Sequence, residues 1–482
     1  MPGPLELEVY PGLQFFEPVL IVPSTTSGPT PVQTFDPLDP RQLSIGLDLV
    51  GNAWAVLTDL TGSGVVQTQL AASPALLDVP LYFQAVTFQF IPQLLDRISN
   101  GNVIRLANAD SFRDRLVFMI RERAFGTALV RPDRRTMVLG GARGQLLAQV
   151  ATATTDVYDP MTDSVSSGPT MSTPRSMHTM TELASGLYLV CGGVDAANNP
   201  QGSCEIYDPV SDTFAPAASM ATPRMAHTAT LLADGRVFVS GGLEALSVMP
   251  SQLSAIRDAV ASTEIYDPVA DTWTSGPALS DPRAAHFALQ RPDGVIVLGG
   301  GISWEPNILF GWVPAVRSST DLYDPASNTM AAGPAMSSAR ALTDPVELSP
   351  GRWLVAGGMS GLSLIPFNAG NPTAAAEIYD SASNSWVSVG AMATARANHK
   401  SWSLGNGRFL LVGGGDGSIL SPTPLATTEI FDEATNSFTP GPLMNSARAG
   451  AGVIATPQGQ MMIYGGADAS GAVTTSTEWY YF

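Results

Sequence analysis

The chain is nearly devoid of lysine. Of its 24 basic residues one, Lys400, is lysine, and they face 42 acidic residues for a net charge of −18. No basic patch can be read from such a sequence. That excludes a nucleic-acid surface, argues against docking on an anionic membrane, and removes most lysine-based mechanisms. Histidine is scarce too, at four residues, and cysteine stops at two, Cys191 and Cys204. No apolar run reaches the length of a membrane span. The first residues, "MPGPLELEVYPG", lack the basic and apolar parts of a signal peptide. The chain is therefore expected either to be cytoplasmic or to have lost a signal earlier.

What is abundant points to folding. The 482 residues suffice for two or three domains. They are 45% hydrophobic and only 14% charged, the balance of a chain that packs a core. The 46 glycines and 38 prolines suit many short strands and turns.

Self-similarity organises the rest. Arg123, Arg175, Arg224, Arg283, Arg340, Arg396 and Arg448 are each followed 17 residues later by a glycine of a Gly-Gly pair or triplet. Those glycines are Gly140, Gly192, Gly241, Gly300, Gly357, Gly413 and Gly465. After a loop of variable length comes an acid two residues before an aromatic: Asp156/Tyr158, Glu205/Tyr207, Glu264/Tyr266, Asp321/Tyr323, Glu377/Tyr379, Glu429/Phe431 and Glu478/Tyr480. Seven residues further lies an apolar residue, such as Phe214, Trp273 or Trp386. Each unit of about 50 residues then reads as four strands, the first starting at the Arg, the second ending at the glycines. The third carries the acid and Tyr, the fourth the aromatic.

These features together resemble the kelch repeat over roughly residues 110–482. The resemblance implies an all-β fold: a seven-bladed kelch β-propeller with one four-stranded blade per repeat, arranged radially around a channel. The seventh copy, "STEWYYF", has no fourth strand, and a propeller cannot leave that edge unpaired. The missing strand is expected near 111–117, where Asp110-Ser111-Phe112 mirrors Asn436-Ser437-Phe438 and Met119 precedes Arg123 by four, as Met171 and Met220 precede theirs. Phe112 stands one residue out of step, which calls for a bulge or an extra turn residue.

The strand order brings the Arg, the glycines and the acid to one end of each blade. The expected pairs are Arg175–Glu205, Arg224–Glu264, Arg283–Asp321, Arg340–Glu377, Arg396–Glu429 and Arg448–Glu478, with Arg123 and Asp156 in the first copy. Each Arg would reach over glycines that have no side chain to block it. The alternative is an anion-binding ring of arginines; one acid per Arg favours the structural role. The histidines, His178, His227, His286 and His399, all lie three residues after a repeat Arg. That position belongs to the kelch pattern, so a structural role is expected and no metal site or cofactor is assigned. Cys191 and Cys204 sit where two adjacent antiparallel strands would face each other. They are a disulfide candidate, which would imply an oxidising compartment; the other reading is two buried thiols.

Residues 1–108 lack the repeat. Runs such as "LSIGLDLV", "AWAVLTDL" and "PLYFQAVTFQF" between turn residues read as a small β-sandwich-like domain, resembling β-rich modules of large secreted bacterial proteins. "SNGNVIRLANA" would link it to a propeller at 109–482. A β-sandwich before such a propeller also resembles galactose oxidase-like copper enzymes, which need a Cys cross-linked to Tyr, further Tyr and His ligands and a third domain. No His lies outside the repeat pattern, both cysteines have a structural explanation, and no separate nucleophile or carboxylate pair stands out. The reading is therefore a non-catalytic binding or assembly protein, extracellular or at the cell surface and otherwise cytoplasmic, with a carbohydrate-active enzyme as the alternative. Individuality lies in the loops between second and third strands of blades 3, 4 and 5. They carry Met249, Trp304, Phe310, Trp312 and Phe367, candidates to contact a protein or glycan partner or to mediate self-association.

Overall fold

A computed structural model of the chain describes residues 111–112, 117–145, 148–244, 259–304, 315–361, 370–418, 422–456 and 460–480 in full, with backbone strands alone at further positions. Seven four-stranded antiparallel sheets repeat around a ring. Blade 2 is representative, with strands Thr179–Glu182, Tyr188–Cys191, Cys204–Asp208 and Thr213–Ala217 in spatial sequence. The second strand of a blade is buried on both faces, as in Val237–Ser240, and reads as a short apolar run. The fourth, as in Thr272–Ser275, is mostly exposed and turns one aromatic inward.

The blades are held by the cores between them. Leu129, Met137 and Leu139 of blade 1 pack with Met171, Val190 and Tyr207 of blade 2. The motif tyrosine thus fills the interface with the preceding blade; Tyr323 of blade 4 stacks on Phe238 of blade 3 with centroids 3.9 Å apart. Its hydroxyl also donates to the following turn, where Asp212, at φ 57°, accepts from Tyr207 at 2.8 Å.

Blade 7 is composite. Gly452–Ala455, Met461–Tyr464 and Thr477–Tyr481 are completed by Ser111–Asp114, the strand expected from ahead of the first repeat. Tyr480 stands opposite Phe112 just as Tyr207 stands opposite Phe214. No bulge is needed within these four residues; the extra residue lies beyond Asp114, before Met119. A second difference concerns the inner strands, which begin at Thr127 or Thr179 rather than at the Arg. Between them the chain makes a single bridge, Ser176↔Val194 in blade 2, and then a left-handed residue, Met177 at φ 54°.

Ahead of Ser111, Trp54–Leu57, Pro18–Ser24, Pro80–Thr87 and Asn102–Arg105 form one sheet in that spatial order. The stretch read as a linker therefore contains a strand paired with Pro80–Thr87. Leu5–Val9 pairs with Gly64–Thr68, and Ser27–Pro31 with Gln42–Ile45.

Candidate functional site

All seven motif arginines lie next to their acids. Nη2 to carboxylate distances run from 2.8 Å in Arg224–Glu264 and Arg340–Glu377 to 3.3 Å in Arg396–Glu429. Arg175–Glu205 measures 3.2 Å, Arg283–Asp321 2.9 Å, Arg448–Glu478 3.0 Å and Arg123–Asp156 3.0 Å. Each guanidinium is buried and also donates to backbone carbonyls, as Arg175 does to Gly192 and Ser203. Burial lowers the Arg175 pKa, and Glu205 opposes that shift. Acid length matters. Glu205 also accepts from the Ser172 and Thr173 amides, whereas the shorter Asp321 accepts from Ser280 alone of the matching pair. Each Arg charge is thus met by an acid of its own blade, while Nε of Arg283, Arg340 and Arg396 has no hydrogen-bond partner among the described residues.

The second glycine of the pair lies against its own Arg, as expected: a side chain at Gly242, Gly301 or Gly358 would come within 3.1–3.2 Å of the Cβ of Arg224, Arg283 or Arg340. The first glycine has a different reason. A side chain on Gly192 would strike the Arg224 carbonyl and His227 ring of the next blade, not its own Arg175. Gly193 then donates to that same Arg224 carbonyl at 2.9 Å. The first glycine is thus a contact between blades, while a side chain on Gly193 would strike the Ser176 carbonyl and His178 of its own blade; both stand in the left-handed region, at φ 66° and 84°.

A ring of backbone bonds that the sequence did not suggest links the blades near their arginines. Two residues after each Arg the chain adopts positive φ, and its amide donates to the equivalent carbonyl of the preceding blade. Met177 donates to Phe125, Ala226 to Met177, Ala285 to Ala226, Leu342 to Ala285, Asn398 to Leu342, Gly450 to Asn398, and Phe125 to Gly450, at 2.8–3.4 Å. The circuit passes through every blade. No common residue type marks these positions, so composition could not reveal it.

The histidines latch neighbouring blades. His178 Nε2 lies 3.0 Å from Thr127 Oγ1, His227 Nε2 2.9 Å from Thr179 Oγ1, and His286 Nε2 3.1 Å from Thr228 Oγ1. Burial, reinforced by the charge of the adjacent Arg, lowers the pKa of His178, His227 and His399 to about 3 and that of His286 well below its usual range. They are neutral at physiological pH. Where a blade lacks the histidine, other residues adapt. Phe287 covers Gly299 toward blade 5, and Tyr464 covers Gly452 toward blade 1. Between blades 6 and 7 the position is Ala451, and a small cavity remains beside Lys400 and Asn398. Lys400, the single lysine, pairs with Asp344 of blade 5 at 3.1 Å. Asp344 replaces the threonine of blades 1–3, and neither nitrogen of His399 has a partner among the described residues.

Cys191 and Cys204 are bonded, with Cα atoms 4.3 Å apart on directly opposed positions of the second and third strands. On the same face as the glycines, blade 1 inserts a short hairpin, Ala142–Gln145 with Ala148–Ala151, and the consecutive blades 4 and 5 insert longer ones, Ile302–Asn307 with Gly311–Val316 and Met359–Leu364 with Phe367–Pro372. The second strand of the blade 4 hairpin adjoins the first strand of the blade 5 hairpin. Trp304 is half-buried, packed near Ile302 and Ala341. Trp312 and Phe367 are placed by backbone only, opposite Pro306 and Leu364. Phe310 and Met249 lie outside the described residues, as does most of the blade 3 loop.

The Kelch motif family model matches residues 174–221, which is blade 2. No curated protein matches the sequence. Among solved structures the chain is similar to a novel fungal alcohol oxidase with catalytic diversity among the AA5 family, in complex with copper. The TM-score is 0.58 at 16% identity, covering 77% of this chain and 75% of that one. It is also similar to YjhT, at TM-score 0.46 and 13% identity, covering 64% of this chain and 95% of that one. Likeness at such identities speaks to fold alone. With seven Arg–Gly-Gly–acid units, each building one blade of a closed ring, the chain is a kelch-repeat β-propeller.

Proposed function

We propose that this propeller is a non-catalytic binding module that engages a protein or glycan partner through the twin hairpins of blades 4 and 5. The observation that carries the reading is their placement. Two insertions on consecutive blades lie side by side on one face, whereas blade 2 closes the same connection with a compact Asp195–Asn199 turn. The repeat chemistry is meanwhile consumed internally, every motif Arg by its own acid and three of four histidines by a neighbouring threonine. Extended strands that reach beyond a rigid scaffold are suited to presenting side chains to a partner.

The oxidase-like alternative needs a cysteine free to cross-link to tyrosine. Both cysteines of this chain are joined to each other, which supports the binding reading. The disulfide also favours an oxidising location, extracellular or at the cell surface. A glycan array and a protein pull-down, each run with the wild type and with the Trp304→Ala/Trp312→Ala double variant, test the proposal. Specific capture that falls at least about tenfold in the variant, or about 1.4 kcal/mol, is expected. Copper-dependent alcohol or sugar oxidation by the wild type would overturn it.

A further inference from the structure

Comparing one exposed position across the seven blades points to a docking surface elsewhere on the molecule. Just ahead of each motif Arg an apolar side chain, methionine in six copies and Leu279 in the other, is buried between blades. The residue before it points to solvent in every blade. It is Thr170, Ser219, Ala278, Ala335 and Ala391 in five of them, small in each case. In the remaining two it is Leu443, 68% exposed, and Phe118, 53% exposed. Ile120, on the other side of Met119, is also exposed where the other blades carry Ser, Ala or Asn.

Leu443 precedes blade 7, and Phe118 and Ile120 follow it, so the exceptions flank a single blade. Blade packing does not demand large residues there, because the same positions are solvent-facing and small elsewhere. Val150, a further exposed apolar residue, sits on the hairpin of blade 1 (Ala142–Gln145 with Ala148–Ala151), whose Gly144 carbonyl accepts from Val473 of blade 7. Blade 7 is also where residues 1–110 enter the propeller, through its outermost strand Ser111–Asp114.

We propose that residues 1–110 dock on this apolar rim of blade 7, covering Phe118, Ile120 and Leu443. The occupant follows from connectivity. That segment joins the propeller at Ser111, opposite Tyr481, and six residues separate Ser111 from Phe118, so it is tethered within about 25 Å of the rim at high effective concentration. It brings apolar strands of its own, such as "PLYFQAVT" at Pro80–Thr87. At this repeat position large exposed apolar side chains are confined to the flanks of blade 7, which singles them out for a covering segment.

The full-length chain suits a direct test, because its two cysteines are tied up in the disulfide. A cysteine introduced by Phe118→Cys or Leu443→Cys is then the one free thiol. Thr170→Cys and Ala391→Cys place the same probe at equivalent positions of other blades. Under native conditions thiol labelling at 118 and 443 is expected to be at least about tenfold slower than at 170 and 391. A photo-crosslinker on the Leu443→Cys thiol is expected to capture peptides from within residues 1–110 of the same molecule. Equal labelling rates at all four positions would overturn the proposal. So would protection that depends on concentration, or cross-links that join two copies.

Discussion

Tyr480 and Phe112 pack ring against ring, with centroids 4.9 Å apart, although almost the whole propeller separates them in sequence. The contact belongs to the core between blades 6 and 7, together with Leu410, Met444 and Ile463. It joins the two ends of the repeat array, so the ring depends on it.

Phe112→Ala should therefore destabilise the protein by about 3–5 kcal/mol, the range for truncating a buried Phe. Val387→Ala, at an exposed outer-strand position, should change stability by under about 0.5 kcal/mol. Urea denaturation of the two variants beside the wild type checks both. A small effect of Phe112→Ala would mean that the closing strand is dispensable.

The buried Arg–acid nodes make a second prediction. Glu377 accepts from Arg340 and from the Ser337 and Ser338 amides. Glu377→Gln leaves the Arg340 charge buried without its counterion and should cost about 3–5 kcal/mol. Glu377→Asp keeps the charge but is expected to reach only one amide, as Asp321 does, and should lose about 1 kcal/mol. Equal losses for the two variants would contradict the role assigned to acid length.

The repeat was legible because it is chemically monotonous. An Arg, two glycines, an acid and an aromatic recur at spacings fixed by strand geometry. That sufficed for the blade count, for the Arg–acid assignments and for placing the closing strand near Phe112. The left-handed residues of the backbone ring were not legible: Phe, Met, Ala, Leu, Asn and Gly all occupy the position, because backbone pairing rather than a side chain selects it. The crowding at the first glycine of each pair was not legible for a related reason. The groups that crowd Gly192 come from the following blade, and periodicity within one repeat does not display them. Of the candidate partner residues, Trp304 lies partly in a local core rather than standing free.

Stability should fall with acid in a window set by the histidines. His178, His227 and His399 titrate near 3 in the folded chain but near 6.5 when unfolded. Below about pH 6.5 the unfolded chain binds protons that the native one refuses, so stability is full above that pH and declines as pH drops toward 3. Each such histidine contributes a slope of up to about 1.4 kcal/mol per pH unit. Denaturation measured from pH 7.5 to pH 4.5 should show this loss, and His227→Gln should lessen the slope by about one proton. A stability that is flat across this range would show that the histidines are not buried as neutral groups.

The most direct test of the division between a repeat that holds the fold and hairpins that bind is to replace the blade 5 hairpin, residues 359–372, with the short turn of blade 2, residues 194–200. Thermal melting and partner binding should then be measured on the same sample. A melting temperature close to that of the wild type, with binding weakened by at least about tenfold, is expected. A collapsed melting temperature with binding retained in the surviving folded fraction would contradict it.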